Sequence, residues 1–222
     1  MVDKEFKEER KTLLKEVSGT VLDVGSGGGA YLQYCQQATE VVAVEPVTKM
    51  HPIIRKSGQS LQKLTVLKSM DDLPPTQKFD WVILGNVSQP CQGWQLAFIF
   101  FLTPEYRHWL LLLFSQVLCE VESVKETIHK IDYILKPGGH VYFMEHIASP
   151  KGTWQRSFQD MVNPLHRFVA GGCNCNRDSL EILKTSADWD VIAWTYEHFK
   201  VMMGNFVCGL AMKKIKENKV DQ

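Results

Sequence analysis

The stretch VLDVGSGGG, residues 21–29, joins an apolar run to an acid and then to Gly25, Gly27, Gly28 and Gly29. Glycines there let the backbone turn tightly and leave no side chain between it and a ligand. Glu45 follows in VVAVEP, about twenty residues after the loop, where a carboxylate can accept both hydroxyl hydrogens of a ribose. A further acidic pair, Asp71 and Asp72, stands in KSMDDLPP. No Lys-Ser or Lys-Thr follows the glycines, which excludes a phosphate-clamping P-loop. GSGGGA matches the dinucleotide spacing GxGxxG only loosely, and a ribose-binding acid serves more than one class of nucleoside cofactor. The loop and Glu45 together predict a nucleoside site without fixing its chemistry.

Such groups need a sheet to position them. TVLDV (20–24), EVVAV (40–44), LTVL (64–67), FDWVIL (79–84) and HVYFMEHI (140–147) read as strands, with two more over 189–196 and 206–212. Helices are expected over 3–16, about 30–37, 121–135 and 178–187. The third carries Val121, Val124, Ile128, Ile131 and Leu135 at helical spacing and should stop at KPGG, residues 136–139. Strands apolar on both faces that alternate with helices predict an α/β fold, a largely parallel sheet with helices on both faces. The glycine loop then falls at the carboxyl end of strand one.

Composition narrows the options. A chain of 222 residues fits one α/β domain, residues 1–222. Lys+Arg and Asp+Glu both number 25, so there is no global charge case for a nucleic-acid partner. The six cysteines form no close CxxC repeat and read as mostly free thiols of a reducing compartment. Cys173 and Cys175, in GGCNCN, are one residue apart rather than the about two to four usual at structural zinc, so no metal is expected. The opening MVDKEFKEERK is too charged for a signal peptide. In LAFIFFLTPEYRHWLLLLFSQVL, residues 96–118, two apolar pieces flank TPEYRH. Neither approaches the roughly 20 residues of a membrane span, and Glu105, Arg107 and His108 would lie near its centre. Residues 85–114 break the strand–helix rhythm and read as an atypical insertion after strand four.

The pattern DVGSGGG resembles the first motif of class I S-adenosylmethionine-dependent methyltransferases. The stretches SQVLCEVESVKETIHKIDYILKPGGHVYFMEHIASPKGTWQR, GGCNCNRDSLEIL and VCGLAMKK resemble, more specifically, the methyltransferase-like thiol S-methyltransferases. Those are small class I enzymes of endoplasmic reticulum and lipid-droplet membranes that methylate small thiols. The resemblance covers about residues 10–84 and 115–213. Glu145, His146, Pro150, Gly152 and Trp154 answer to the family's Glu-His, Pro and Gly-x-Trp, and Gly171-Gly172-Cys173 stands where the family has Asp-Gly-Cys.

What the resemblance implies is a Rossmann-like sheet of seven strands, mostly parallel with an antiparallel last strand, and S-adenosylmethionine as cofactor. It places Asp23 at the cofactor's cationic methionine end with Gly25 and Gly27 beside it, Glu45 on the ribose, and Asp71 beside the adenine amine. Asp72 is expected as a turn cap. An NAD enzyme would need pyrophosphate contacts and a hydride-transfer acid–base pair, and neither is evident.

Methylation of sulfur is an in-line substitution that needs alignment and exclusion of water. An imidazole can take the thiol's proton. His146 is the expected catalytic residue, and His166 in NPLHRF is a second candidate. Glu145 would orient a loop or the substrate. Trp154 and Phe158 would line an apolar acceptor site or pack in the core, and Cys119 and Cys173 read as small buried hydrophobes. The expected partner is a small apolar thiol or another small-molecule acceptor, and the expected state is a monomer. Oxygen, nitrogen and lipid acceptors stay open, as does an inactive binding protein on the same fold. GNVSQP after strand four lacks the Asn/Asp-Pro-Pro-aromatic signature of nucleic-acid methylation.

Two departures bear on location. The family's apolar leading anchor has no counterpart here, and residues 85–114 fit a lid, a membrane-contact patch or a translated intron. The resemblance places the chain at an endoplasmic-reticulum or lipid-droplet surface by peripheral contact, whereas the missing anchor points to the cytoplasm.

Overall fold

The computed structural model describes residues 7–85, 117–169, 172–186, 188–198 and 205–215. All but Gly85 of the expected insertion lies outside them. Seven strands form one sheet: β1 (Ser18–Val24), β2 (Gln37–Val44), β3 (Leu64–Leu67), β4 (Phe79–Leu84), β5 (Leu135–Ile147), β6 (Trp189–His198) and β7 (Asn205–Lys213). Their spatial order is β3-β2-β1-β4-β5-β7-β6. β1 to β5 are mutually parallel, and β7 runs antiparallel to both of its neighbours, as expected of the last strand. Strand order reverses between β1 and β4, the crevice where open α/β sheets bind ligands.

Successive side chains of a strand face opposite sides, so a sheet covered on both faces needs continuous apolar runs. Leu22, Val42, Val82 and Phe143 enter one core cluster, and their neighbours Val21, Val41, Ile83 and Tyr142 enter the other. Among the described residues six helices accompany the sheet: α1 (Lys7–Leu13), α2 (His51–Ser57), α3 (Val117–Glu120), α4 (Val124–Ile134), α5 (Trp154–Val169) and α6 (Ser179–Ser186). α4 buries Val124, Ile128, Ile131 and Ile134 at helical spacing, and the Ser123 hydroxyl caps it by accepting from the Glu126 N–H at 3.3 Å.

The opposite end of the sheet is tied down by Asp80. Its Oδ2 accepts from the Thr20 amide and hydroxyl at 2.8 Å each, and Lys136 Nζ lies 2.9 Å away. β1, β4 and β5 are thereby joined at their starts, leaving their carboxyl ends to the site.

Three expectations need correction. The helix expected over 30–37 is only a short 3-10 turn, Leu32–Tyr34, because β2 already begins at Gln37 and leaves no length for more. α4 ends just before KPGG as expected, but strand five, expected from residue 140, already begins at Leu135 and takes KPGG in, with Gly138 at φ +75° and a shift of register against β4. α5 has no counterpart among the expected helices, and it accommodates Pro164 within sixteen residues.

Candidate active site

After β1 the chain turns through Gly25, Gly27 and Gly29 at φ +71°, +52° and +78°, the left-handed region that favours glycine. The Gly25 and Ser26 amides donate to the Val44 carbonyl at 2.8 and 3.1 Å, lacing the loop to the end of β2. Glu45, buried just past β2, completes the lacing. Its Oε2 accepts from the Gly27 amide at 2.8 Å and its Oε1 from the Val47 amide at 2.9 Å. Each oxygen keeps a second lone pair for a ligand donor.

Asp23, the next-to-last residue of β1, has no exposed surface. The Ser26 hydroxyl donates to its backbone carbonyl at 3.0 Å, and neither carboxylate oxygen has a hydrogen-bond partner among the described residues. Burial pushes this carboxyl up to about 7, and the Glu45 charge adds to the effect. An unpartnered buried carboxylate is costly, and a cationic ligand would relieve that cost.

Asp71 sits apart from this buried group. It is exposed on the 3-10 turn Met70–Asp72, where Lys130 Nζ lies 2.9 Å from Oδ1 and holds the carboxyl below its ordinary value. Asp72 is the cap expected of it: its Oδ2 accepts from the Ser69 amide at 2.9 Å.

α3 forms a lip over the loop. A Cβ on Gly25 would come within 2.9 Å of Val117 Cγ2. Glu145, near the end of β5, holds the lip in place by accepting from the Leu118 amide at 3.0 Å. Its carboxyl is pushed up to about 8 by burial, and its Oε2 has no partner among the described residues. Arg177 steadies the other side, donating to the Leu118 and Val121 carbonyls at 2.8 and 2.5 Å.

Beside the lip, four side chains from separate elements converge. His146 is buried and stacks on Phe206 with ring centroids 4.9 Å apart, its Nδ1 lying 3.6 Å from Cys173 Sγ. The His166 ring meets His146 edge-on at 5.9 Å, and its Nδ1 lies 3.0 Å from the Cys173 carbonyl oxygen. The Cys119 thiol donates to Cys173 Sγ at 2.9 Å. That hydrogen bond, aided by His146 and opposed by burial, holds the Cys173 thiol well below its ordinary value.

The ligand atoms of His146, His166 and Cys173 all lie within 4.8 Å of one another. Tetrahedral zinc, with bonds of about 2.0–2.3 Å, needs its ligand atoms about 3.5 Å apart. The set as it stands is a hydrogen-bonded thiol–imidazole group. Cys119 and Cys173 are buried as expected, but they are hydrogen-bonded, Cys119 to Cys173 and Cys173 to His146, and not inert hydrophobes. Trp154 is 62% exposed and does not pack in the core, while Phe158 is half-buried.

A family model described as "Methyltransferase domain" matches residues 2–193. The chain belongs to that family. Thiol S-methyltransferase TMT1B of Rattus norvegicus is 23% identical over 214 residues, 93% of this chain and 78% of the relative. Thiol S-methyltransferase TMT1A of Homo sapiens is 24% identical over 186 residues, 82% of this chain and 66% of the relative. In fold, the methyltransferase domain is similar to N-methyltransferase NodS of Bradyrhizobium japonicum WM9 in complex with S-adenosyl-L-homocysteine. The TM-score is 0.57 at 11% identity, covering 94% of this chain and 87% of that one.

This methyltransferase domain is a class I enzyme fold and its cofactor is S-adenosylmethionine. The residues present fit that cofactor. A partnerless buried carboxyl at Asp23 suits an ammonium group, and open space beside Gly28, where a Cβ would meet nothing nearer than 4.0 Å, leaves room for a ligand to approach the loop.

Proposed function

We propose that this methyltransferase moves a methyl group from S-adenosylmethionine to the sulfur of a small apolar thiol. One observation carries the reading: the His146 imidazole and the glycine loop share one edge of the sheet. Glu145, the residue before His146, anchors the α3 lip whose Val117 faces Gly25. The likeness to thiol S-methyltransferases supports sulfur as the acceptor.

When bound, the cofactor supplies a methyl group on a cationic sulfur. Asp23 would meet its ammonium group, Gly25 and Gly27 would give it room, Glu45 would accept from the ribose hydroxyls, and Asp71, once released from Lys130, would accept from the adenine amine. His146 takes the proton of the acceptor thiol, leaving a thiolate that is already a strong nucleophile. The buried surroundings exclude water from that proton transfer.

The reading also extends to location. Trp154, Met161, Leu165 and Phe168 on α5 are 62–70% exposed and recur at helical spacing. They form an apolar stripe suited to peripheral contact with a membrane surface. Among the described residues no helix is long and apolar enough to cross one. Flotation with lipid vesicles, lost on replacing Trp154 and Phe168 by Ser, is the expected result; equal flotation of both proteins would remove this contact.

The acceptor is tested by incubating the folded chain with methyl-labelled S-adenosylmethionine and equal panels of small thiols, phenols and amines. Label on the thiols alone is expected. Label on oxygen or nitrogen alone would replace the acceptor, and bound donor without any transfer would make the chain a binding protein on a methyltransferase fold.

A further inference from the structure

The Cys119–Cys173 contact goes beyond the methyl transfer. We infer that these two residues form a reversible disulfide, an oxidation site built into the rim of the cofactor site. The two cysteines are 54 positions apart, one in α3 and one in the loop that precedes α6. Their sulfurs are 2.9 Å apart, and a disulfide bond of about 2.0 Å would close a gap of only about 0.9 Å.

The backbone on each side already holds them together. The Asn174 amide and its Nδ2 both donate to the Cys119 carbonyl, at 3.1 and 2.9 Å. Arg177 bonds the Leu118 carbonyl from the same loop at 2.8 Å. The proximity therefore does not depend on two free side-chain rotamers. The other described cysteines are placed differently: Cys35, Cys175 and Cys208 hydrogen-bond to oxygen atoms of Tyr31, Gln159 and Tyr142.

Burial orders the steps. Cys173 is 5% exposed and Cys119 is 0%, so a small-molecule disulfide such as oxidised glutathione reaches Cys173 first. The Cys173 thiolate attacks one sulfur of that disulfide, its S–S bond breaks, and one glutathione thiolate leaves. Cys119 then gives up its proton and attacks the Cys173 sulfur, releasing the second glutathione thiolate. The two protein thiols lose two electrons and two protons, and oxidised glutathione takes up both to become two reduced molecules. The new bond ties the α3 lip to the 172–178 loop and withdraws the Cys173 sulfur from His146. Mild reductant reverses it.

The test uses the full chain, folded, with excess oxidised glutathione, followed by acid quenching, alkylation of remaining thiols, digestion and mass spectrometry. A linked peptide containing Cys119 and Cys173, lighter by two hydrogens and separated again by reduced glutathione, is expected. In Cys119→Ser, Cys173 should instead carry glutathione; in Cys173→Ser, Cys119 should stay reduced. Full alkylation of both cysteines in the treated wild-type chain, or linkage of a different pair, would overturn the assignment. The wild-type map decides the matter alone if a variant fails to fold.

Discussion

The Gly27 amide donates to Glu45 Oε2 at 2.8 Å, so the acid that follows β2 holds the glycine loop that follows β1. Glu45 has a structural task in the free protein as well as a proposed one with the cofactor. Glu45→Ala strands the buried Gly27 amide, while the Val47 amide, at an exposed residue, passes to water. The stranded Gly27 donor costs about 1–3 kcal/mol. The variant should stay folded with a lower melting temperature and bind S-adenosylmethionine at least about tenfold more weakly. Thermal melts and calorimetric titration read the two effects separately, and unchanged donor affinity would remove Glu45 from the binding group.

Gly25 and Gly28 should behave differently although both lie in one loop. Gly25 has φ +71° and faces Val117 Cγ2, which a Cβ would meet at 2.9 Å. Gly25→Ala should cost about 1–2 kcal/mol from backbone strain alone and displace the α3 lip; Gly25→Val should cost more because its branch point is bulkier. Gly28→Ala has space and should leave stability nearly unchanged. Comparative melts check this, and equal losses at the two positions would contradict it.

Asp23 gives a pH-dependent prediction with a definite sign. Its carboxyl is raised from the ordinary 3.8 to about 7, so the unfolded chain releases this proton first as pH rises. Its contribution to stability is complete below the lower value and is lost as pH climbs to the higher one. Asp23→Asn removes that penalty. The variant should be more stable than the parent, with the gain larger at pH 8 than at pH 4 and no more than about 4 kcal/mol. It should also bind S-adenosylmethionine at least about tenfold more weakly, because a neutral amide is a poorer partner for an ammonium group. Denaturant midpoints across pH provide the check; a gain independent of pH would mean that the carboxyl is not raised.

His146→Gln tests the proton acceptor. With a thiol substrate, kcat/KM at neutral pH should fall about 100-fold, mostly in kcat. The deficit should shrink as pH approaches the pKa of the thiol, because a thiolate needs no acceptor. A deficit of constant size across pH would assign His146 to positioning through its stack on Phe206.

Much of the scaffold was legible because its signals are local. VLDV, VVAV and FDWVIL are apolar on both faces, and each became a central strand buried on both sides. Asp23, Gly25, Gly27 and Glu45 converge because the turns after β1 and β2 lie side by side on parallel strands. Asp71 shared the motif but not the burial: its partner is Lys130 on α4, a contact between residues 59 positions apart that no local pattern encodes. α5 was hidden by Pro164, which reads as a breaker, and by an apolar stripe that faces outward instead of toward the core. The Cys119–Cys173–His146 contact was also beyond reach, since three elements must fold before the sulfurs meet. Its one signal was positional, a histidine at the end of a central strand.

The central claim, a methyl-donor site built on Asp23, Glu45 and the glycine loop, is tested most directly by calorimetric titration of the folded chain with S-adenosylmethionine, with NAD as control. Saturable binding of S-adenosylmethionine, weakened in Glu45→Ala and absent for NAD, is the predicted result. No binding by the folded chain, or equal binding of NAD, would contradict it.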